Sequence, residues 1–494
     1  MSGAAVGEPP ERSREPLGCA PVDAGGAPMH SRFEGPKGTF DYLPPLADVR
    51  ARVELTMLEQ ARLAGYQRME TPVFEETGLF ARGVGQSTDV VQKEMYTFTD
   101  KGGRSVTLRP ELTAGAVRAL IEHGRLGGGL VKVAFSGPGF RYERPQAGRQ
   151  RQFHQVDIEA IGSADPALDA DVILVGHEVF RTLGIAVTLL LTSLGDAECR
   201  PVYRQRLLEY LRGLGDKLPS EIRARAEQNP LRVLDMKDPY VQELTADAPL
   251  MRDSLCKACR EHDDTVRYLL GEAGVGWTEA PRLVRGLDYY MRTTFEWQAE
   301  ALDAAQNALG GGGRYDGLSE LVGGPPAPGV GWALGLDRTV LALERAGALP
   351  EAPPQLQALV LPLTPAAQGT AVKLVRDLRR AGVAADQPYA DRTLRGHMKA
   401  AAKAGALAVV LLGEEELADG QASVRDMAAR DQVRVPLDSV VPTVARIAAT
   451  AGDLAPGGRE GGAPGRPGSA GPPGAGGAAV GIDPSDTDDQ GAAP

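Results

Sequence analysis

The sequence predicts an α+β protein whose strand-rich part is interrupted by a helical insertion and followed by a separate small α/β domain. Three short strand-like runs support the first part: 104–108, 130–135 and 152–161. Residues 196–275 are charged and rich in helix-forming side chains, and strand-like sequence resumes at Leu283. After the Pro-rich stretch 350–354, strand and helix patterns alternate, which is typical of a small α/β domain.

These patterns divide the 494 residues into six segments. In order, we predict a disordered N-terminal extension (1–30), the first part of a core (31–195), a helical insertion (196–275), the second part of the core (276–346), an α/β domain (355–450) and a disordered tail (451–494). The two ends are rich in Gly, Pro and Ala and carry few large apolar side chains. Such segments bury too little surface to offset the entropy lost on ordering.

The first helix is predicted at 46–64, because Pro44 and Pro45 precede apolar residues at helical spacing. Gly65 ends this pattern. Within the insertion we predict helices at 202–214 and 253–271. The α/β domain should contain, in order, a strand at 359–363, helices at 368–381 and 392–404, strands at 406–413, 423–427 and 433–437, and a closing helix.

The composition, 43% apolar and 24% charged, is ordinary for a globular protein. No apolar run approaches the roughly 18 residues of a membrane span, and the first thirty residues lack the apolar stretch of a secretory signal. Four cysteines argue against a disulfide framework and favour a cytoplasmic location. The formal charge of −11 opposes non-specific binding of nucleic acid, so any RNA contact must come from local basic patches.

Cys256 and Cys259 have the spacing of a pair of metal ligands. A structural zinc ion requires four ligands, and neither Cys19 nor Cys199 supplies a second pair in the sequence. We therefore expect no metal site in this protein.

The most informative stretch is 139–162, GFRYERPQAGRQRQFHQVDIEAIG, which has the pattern of a β-hairpin. Alternation along the returning strand puts four side chains on one face: Phe153, Gln155, Asp157 and Glu159. The opposite face, with Val156, Ile158 and Ala160, is mostly apolar and suits a core. The polar face is therefore either exposed to water or part of a binding site.

The loop of this hairpin carries Arg144, Arg149 and Arg151, and residues 144–151 include no acid. Arg141 and Glu143 share a face just before it. Such a loop is either a solvated turn or a contact for phosphate groups.

A second stretch, 283–297, contains Arg285 followed by Gly286, which permits a tight turn and close approach of a ligand. Tyr289 and Tyr290 come next, with polar hydroxyl groups. On its own this signal is weak, since paired tyrosines most often serve packing.

A third region combines the glycines 310–313 with the segment 329–338, GVGWALGLDR. It matches neither the dinucleotide-binding fingerprint nor the P-loop pattern. Spaced glycines before the amphipathic run 333–343 predict a strand that meets a helix, with the backbone close to a ligand. Arg338 lies near the start of that helix, where the helix dipole and its own charge both favour phosphate.

Together these stretches resemble the histidyl-tRNA synthetases, which are class II aminoacyl-tRNA synthetases. The matching motifs are FRYERPQAGRQRQFHQVDIEAIG (140–162), RGLDYYMRTTFEW (285–297), GGGRYDGL (311–318) and GVGWALGLDR (329–338), supported by LRPELTAG (108–115) and KGTFDYLP (37–44). In the last segment, DRTLRGHMKAAAKAGA and GEEELADG resemble the family's anticodon-binding domain. The resemblance covers roughly residues 33–446.

This resemblance implies an antiparallel-sheet catalytic core of the class II synthetase type with a helical insertion, plus a C-terminal α/β anticodon-binding domain. It also implies a cytoplasmic homodimer that pairs through the helix at 46–64. The implied substrates are L-histidine, ATP and tRNA(His), with Mg²⁺ accompanying ATP.

The resemblance further implies roles for individual residues. Arg141 and Arg285 would be catalytic and, with Arg338, would bind ATP. Histidine would be bound by Glu111, Leu112, Thr113, Arg141, Gln155, Glu159, Tyr289 and Tyr290, with Glu159 and Tyr290 hydrogen-bonded to the imidazole. The acceptor end of tRNA would contact Gln146, Arg149 and Arg151, and the anticodon would contact Arg392 and Arg395.

Two residues depart from the pattern. Leu112 stands where bacterial members of the family often have Gly, which affects the shape of that loop. Asp157 is an additional acid on the polar face, with no role that the resemblance assigns.

Two alternatives remain open from the sequence. One is a synthetase for another amino acid, which would require the RGLDYY match to be coincidental. The other is a binding protein. A synthetase-like protein without catalytic activity serves as the regulatory subunit of ATP phosphoribosyltransferase, and it generally lacks the last domain and intact catalytic motifs. Here Arg141, Arg285 and Arg338 are all present, as is the last domain. The sequence therefore favours the enzyme.

Overall fold

The computed structural model describes residues 33–452 apart from 87, 146–147, 235, 237, 284–285, 303–306, 353, 355 and 390–392. The chain forms two compact units that divide between positions 353 and 354, within the Pro-rich stretch suggested as a linker. The predicted disordered N-terminal extension (1–30) and residues 453–494 of the predicted tail (451–494) lie outside the described residues, whereas residues 451–452 belong to the last helix. The finer boundaries of the six segments stay predictions.

The first unit contains eleven strands and eleven α-helices among its described residues. The strands are β1 (Gln67–Arg68), β2 (Phe74–Glu76), β3 (Tyr96–Thr99), β4 (Ser105–Leu108), β5 (Val131–Phe140), β6 (Gln152–Ile161), β7 (Val187–Ser193), β8 (Thr278–Glu279), β9 (Met291–Ala299), β10 (Ala308–Arg314) and β11 (Gly329–Gly335). The helices are α1 (Leu46–Leu63), α2 (Thr77–Gly83), α3 (Thr113–Glu122), α4 (Pro166–Leu183), α5 (Cys199–Gly213), α6 (Ser220–Gln228), α7 (Leu231–Leu234), α8 (Pro239–Leu244), α9 (Lys257–Glu272), α10 (Leu318–Leu321) and α11 (Leu336–Arg345).

An eight-stranded mixed sheet forms the centre of the first unit, in the order β1-β5-β6-β11-β10-β9-β7-β8. Its six central strands are antiparallel neighbours, whereas the two-residue edge strands β1 and β8 run parallel to β5 and β7. The predicted antiparallel sheet is thus confirmed for the centre, and its edges are parallel. Strands β2, β4 and β3 form a separate antiparallel sheet.

Helix α1 packs along the first unit through the apolar stripe that the sequence predicted. Val53, Met57 and Ala61 have no exposed surface and belong to the main core, where α1 contacts α4 and α11. The stripe is therefore used inside the chain. On the other face of α1, Leu55 and Leu63 are more than half exposed.

Helix α4 carries start and stop signals that the sequence analysis did not use. The Asp165 side chain accepts a hydrogen bond from the Ala167 N–H at 2.9 Å, and Pro166 occupies the first helical position. Gly184 ends the helix in the left-handed conformation, with φ of 72°. The helix buries one face in the main core, including Phe180.

Helices α5 to α9 lie between β7 and β8 and confirm that the middle of the chain is helical. They enclose their own apolar cluster, which includes Tyr203, Leu207 and Leu211. Helix α9 begins at Lys257, not at the predicted position 253, because residues 251–254 form a separate 3₁₀ turn.

A buried ion pair joins three elements of the first unit. Arg314 on β10 and Asp169 on α4 have no exposed side-chain surface, and Arg314 Nε lies 3.1 Å from both Asp169 oxygens. His262 Nε2 on α9 lies 3.1 Å from Asp169 Oδ1. One carboxylate therefore holds together a central strand, the core helix and the last helix before β8.

The second unit is a small α/β fold, as predicted. Its strands are β12 (Ala358–Pro362), β13 (Ala385–Asp386), β14 (Ala408–Leu412), β15 (Gln421–Asp426) and β16 (Gln432–Pro436), and its helices are α12 (Gln368–Arg380), α13 (Leu394–Lys403), α14 (Glu414–Ala418) and α15 (Val440–Gly452). The sheet order is β13-β12-β14-β15-β16. The short β13 and α14 were not predicted from the sequence. Among the described helices of both units, none is long and apolar enough to cross a membrane.

We expect Asp169→Asn to lower the free energy of unfolding of the first unit by about 3 kcal/mol, because the substitution removes the more buried of the two carboxylates paired with Arg314 and leaves only Asp316, 2.9 Å from Arg314 Nη1. Urea denaturation measures this change in unfolding free energy, with the fluorescence of the buried Trp297 and Trp332 as the readout. Asp171→Asn on the same helix is the control. Its partner is Lys132 and its side chain is 44% exposed, so we expect a loss of at most about 1 kcal/mol. Equal effects of the two substitutions would contradict the prediction.

Candidate active site

Strand β6 separates an apolar face from a polar face, as predicted. Val156, Ile158 and Ala160 have no exposed surface and lie in the main core. On the polar face, Asp157 and Glu159 are each only 1% exposed. This face is therefore not a solvated surface, which leaves the interpretation that it lines a site.

A cavity of about 210 Å³ lies beside this face. Its charged and polar lining includes Arg141, Glu143, Arg149, Gln155, Glu296 and Arg338. Arg141 and Arg338 are nearly 200 positions apart in sequence, and the fold brings them to one cavity.

Arg338 is the third residue of α11, so it lies in the first turn of that helix. Its Nε donates to the Gly148 carbonyl and its Nη1 to the Ala308 carbonyl, both at 2.8 Å. Burial lowers the pKa of Arg338, and the neighbouring charge of Arg149 lowers it further. An anionic ligand would relieve both effects, so the cavity is suited to phosphate or carboxylate.

Arg141 enters the same cavity from the start of the loop between β5 and β6. Its Nε donates to the Pro110 carbonyl at 2.8 Å, and its guanidinium lies 5.3 Å from the centre of the Phe153 ring. These contacts fix the orientation of the guanidinium before any ligand binds.

Three carboxyl groups are buried around the adjoining part of the polar face: Glu111, Asp157 and Glu159. Burial raises the pKa of all three. For Asp157 the charges of Glu159 and Glu111 add to this effect. The pKa of Glu159 rises to about 8, although hydrogen bonds from Tyr315 and Thr113 oppose the rise. Such a cluster favours a ligand that brings positive charge or hydrogen-bond donors.

Some polar atoms of this face have no hydrogen-bond partner among the described residues. They are Gln155 Oε1 and both carboxylate oxygens of Asp157, and all three are buried. An unpaired buried acceptor costs about 1–3 kcal/mol. A ligand ammonium group would satisfy these acceptors, so Asp157, to which the sequence analysis gave no role, becomes a candidate for binding it.

Glu111 is held by the start of α3. It accepts hydrogen bonds from the backbone N–H of Thr113 at 2.8 Å and of Ala114 at 2.9 Å. Leu112, between Glu111 and Thr113, is 1% exposed and packs in an apolar cluster with Tyr289 and Tyr290. Its side chain therefore supports the pocket wall by packing.

Three tyrosines close the acidic pocket. The ring centre of Tyr289 lies 4.6 Å from that of Tyr290 and 5.8 Å from that of Tyr315. The Tyr315 hydroxyl donates a hydrogen bond to Glu159. Tyr315 was not predicted as a site residue, although it lies in the motif GGGRYDGL. Only the pairing of β10 with β11 and of β11 with β6 brings it to Glu159.

Asp337 was also missed by the sequence analysis. Its carboxylate accepts hydrogen bonds from the Tyr42 hydroxyl and the Arg50 Nη2, both at 2.7 Å, and from the His154 N–H at 2.8 Å. Asp337 thereby fixes the start of α11 against α1 and β6. The one feature of the sequence that could have indicated its role is its position immediately before Arg338.

The other predicted site residues are distributed as follows. Arg285, Gln146 and Arg392 lie outside the described residues. Arg149 lines the cavity, and its Nε lies 2.9 Å from Glu143 Oε2. The Arg151 guanidinium lies 3.9 Å from the centre of the Tyr142 ring. Arg395 is exposed on α13 of the second unit.

Two protein-family models match the chain. The model described as Histidyl-tRNA synthetase matches residues 38–339, and the model described as Anticodon binding domain matches residues 357–447. The chain belongs to the histidyl-tRNA synthetase family. Relatives in this family include the Histidine–tRNA ligase of Corynebacterium efficiens, 53% identical over 83% of this chain and 95% of that protein. The corresponding protein of Rhodococcus erythropolis is 52% identical over 83% of this chain and 97% of its own length.

Solved structures agree with this assignment. The apo histidyl-tRNA synthetase of S. aureus matches with a TM-score of 0.71 and 34% identity, over 84% of this chain and all of that chain. A Bacillus halodurans structure described as an ATP phosphoribosyltransferase regulatory subunit/histidyl-tRNA synthetase matches with a TM-score of 0.56 over 76% of this chain and 97% of that chain. At 20% identity, that second likeness concerns the fold alone.

We expect Glu159→Gln to raise the thermal midpoint of the ligand-free protein, and to raise it more at pH 8.5 than at pH 5. The folded pKa of Glu159, about 8, lies above its ordinary 4.5. Its contribution to stability is therefore present at low pH and is lost as the pH rises through 8, whereas Gln carries no charge at any pH. Differential scanning fluorimetry across this range measures the difference.

Glu272→Gln, at the exposed end of α9, is the matched control and should leave the midpoint unchanged at every pH. A stabilisation by Glu159→Gln that does not depend on pH would mean that the buried charge is not its cause.

Proposed function

We propose that this chain is a histidine–tRNA ligase. It would activate L-histidine with ATP to form histidyl-adenylate and then transfer the histidyl group to the 3′ end of tRNA(His). One observation carries this proposal. A cavity with arginines suited to phosphate adjoins a buried acidic pocket suited to an amino acid, and Gln155 and Asp157 lie side by side on the strand that joins them.

In the first step, an oxygen of the histidine carboxylate attacks the α-phosphorus of ATP. The bond between the α-phosphorus and the oxygen that bridges to the β-phosphate breaks, and pyrophosphate leaves. No covalent bond to the protein is needed, so catalysis depends on positioning and on neutralising the charge that develops on phosphate.

The arginines of the cavity fit these two tasks. Arg141, close to Gln155 and Phe153, would bridge the histidine carboxylate and the α-phosphate. Arg338, in the first turn of α11, would hold the terminal phosphates. Arg285, proposed from its motif alone, would stabilise the α-phosphate from the other side. Guanidinium groups suit all three positions because they stay charged and bind oxygens in pairs.

The acidic pocket fits the rest of histidine. The ammonium group would bind the unpaired oxygens of Gln155 and Asp157, with Glu111 and Thr113 nearby. The imidazole nitrogens would be hydrogen-bonded by Glu159 and Tyr290. Amino acids without an imidazole would leave these buried polar groups unpaired, which gives strong discrimination against them.

Mg²⁺ would enter with ATP. The cavity offers the carboxylate oxygens of Glu143 and Glu296, the ligand type that Mg²⁺ prefers. The ion would neutralise phosphate charge, and the arginines would position ATP.

The second step needs tRNA. Gln146, Arg149 and Arg151 of the loop between β5 and β6 would contact the acceptor end, and the second unit, with Arg392 and Arg395, would contact the anticodon. The similarity of the second unit to the anticodon-binding domain supports this proposal. The competing role as a regulatory subunit is disfavoured by the names of the relatives that are more than 50% identical.

We expect the purified chain to exchange labelled pyrophosphate into ATP when histidine is present and not with the other amino acids. The exchange reports reversal of the adenylation step and needs no tRNA. No exchange with any amino acid would favour the regulatory role, and exchange with a different amino acid would overturn the specificity.

Two variants of α11 test the site within the same assay. Arg338→Ala should slow exchange about 10²–10³-fold, since it removes a fixed charge from the phosphates. Arg345→Ala, at the exposed other end of the helix, should leave exchange unchanged.

We further propose that the chain is a homodimer. Large apolar side chains near the start of α1 support this: Phe33 is 99% exposed, Phe40 62% and Leu43 70%. Such clustered apolar exposure is typical of an interface. Light scattering should therefore give twice the mass of the 52.1 kDa chain, and Leu43→Asp should shift the mass toward the single-chain value. A single-chain mass for the unaltered protein at micromolar concentration would refute the proposal.

A further inference from the structure

Four side chains at the base of the helices α5 to α9 bring their ligand atoms together. We call them the cysteine–aspartate cluster: Asp196, Cys199, Cys256 and Cys259. One carboxylate oxygen and three sulfur atoms all lie within 4.8 Å of one another. Around a tetrahedral zinc ion with Zn–S bonds of about 2.3 Å, neighbouring ligand atoms would be about 3.8 Å apart. The Cys256 Sγ to Asp196 Oδ2 distance is 3.8 Å, so the cluster needs only small adjustments to reach that geometry.

The sequence brings these ligands in as two pairs with the same spacing. Asp196 and Cys199 are separated by two residues, as are Cys256 and Cys259. The first pair leads into α5 and the second into α9, because Cys199 is the first residue of α5 and Cys256 precedes the first residue of α9. Two short-spaced pairs at two helix starts are the arrangement of many structural zinc sites.

The backbone orients the first pair. Gly195 has φ of 60°, and a Cβ there would lie 2.7 Å from the Cys199 Cβ and 2.3 Å from the Met251 Cε, so the turn requires glycine. Asp196 Oδ1 accepts hydrogen bonds from the N–H groups of Glu198 and Cys199, at 3.0 and 3.1 Å. Its Oδ2 is thereby directed toward Cys256.

Hydrogen bonding also favours a charged sulfur at Cys199. The backbone N–H of Cys256 donates to Cys199 Sγ at 3.0 Å. Such a donor stabilises a thiolate ligand and fixes its direction, as outer-shell groups of metal sites do.

Simple packing does not account for the cluster. Buried cysteines often serve as small apolar side chains, and Cys199 and Cys259 are indeed 1% and 0% exposed. A carboxylate among three sulfurs, however, gains nothing from apolar packing. A disulfide is the other familiar use of paired cysteines, but these three are free thiols in the structure.

We propose that the cysteine–aspartate cluster binds one structural zinc ion through three thiolates and one carboxylate. The site has a net charge of −2 when filled. The N-termini of α5 and α9 and the Arg292 Nη2, 3.8 Å from Asp196 Oδ2, offset this charge. All four coordination positions come from the protein, so the ion is structural and not part of the chemistry.

The zinc ion would attach the helical segment to the sheet next to the histidine pocket. Leu194 N–H donates to the Arg292 carbonyl at 2.8 Å, and Arg292 N–H donates to the Gly195 carbonyl at 2.7 Å. Arg200 Nη1, one residue after Cys199, donates to the Tyr290 carbonyl at 3.1 Å. The site therefore fixes the backbone that carries Tyr290.

This proposal differs from the expectation, drawn from the sequence, that the protein has no metal site. Cys199 forms no pair of its own in the sequence, but the fold brings it to Cys256, 57 positions away. Asp196 was not considered, since a lone aspartate carries no metal signal in a sequence.

The test measures metal on the full-length protein, purified without chelator and then gel-filtered. Inductively coupled plasma mass spectrometry should find about one zinc ion per chain. After removal of zinc, cobalt should bind and produce thiolate-to-cobalt charge-transfer bands with the visible bands of tetrahedral cobalt. The zinc-free protein should also melt several degrees lower, because the binding free energy is lost from the folded state.

Variants separate this site from chance binding. Cys259→Ser and Asp196→Asn should each lower the zinc content at least about tenfold, whereas Cys19→Ser, outside the cluster, should leave it at about one. Should a ligand variant fail to fold, the cobalt spectrum of the unaltered protein still decides the matter. Zinc below about 0.1 per chain without cobalt bands, or a disulfide between Cys256 and Cys259, would overturn the proposal.

Discussion

The close approach of β6, β11 and β10 at glycine positions is the constraint on which the candidate site depends. A Cβ at Gly312 would lie 1.9 Å from the Gly331 carbonyl oxygen, and a Cβ at Gly331 would lie 1.9 Å from Glu159 Oε2. No side chain can be accommodated at either position without moving the sheet. The glycines therefore leave the space in which Glu159 meets Tyr315, and their role is steric, not phosphate binding.

Beside these glycine positions, the arginines and the buried acids lie at different points along β6. Near Gln155 the cavity is lined by Arg141, Arg149 and Arg338 together with three acids, and burial together with Arg149 lowers the pKa of Arg338. Further along, burial raises the pKa of Asp157 and Glu159. Both arrangements carry unfavourable electrostatic energy without ligand. A molecule with negative charge at one end and positive charge at the other relieves both, which is why the site suits an amino acid joined to a nucleotide.

Two buried ionic contacts keep this arrangement rigid. Asp337 fixes the start of α11, and hence Arg338, against Arg50 of α1. Asp169 joins β10 to the helices on its other side through Arg314. Asp337 also lines the cavity, whereas Asp169 does not, and each acid fixes an element beside the site. Fixed dipoles and charges of this kind avoid reorganisation when the reaction occurs.

The sequence by itself determined the local features: the alternation of β6, the stripe of α1 and the order of elements in the second unit, because each depends on spacing along a few residues. It also supplied the motifs that identify the family. Only the tertiary structure brought Arg141 and Arg338 to one cavity and Tyr315 to Glu159. Within the described residues, it alone left the Asp157 carboxylate oxygens without a hydrogen-bond partner and assembled Cys199 with Cys256 and Cys259. These outcomes depend on strand pairing and on helix starts far apart in the chain, and no local pattern encodes such contacts.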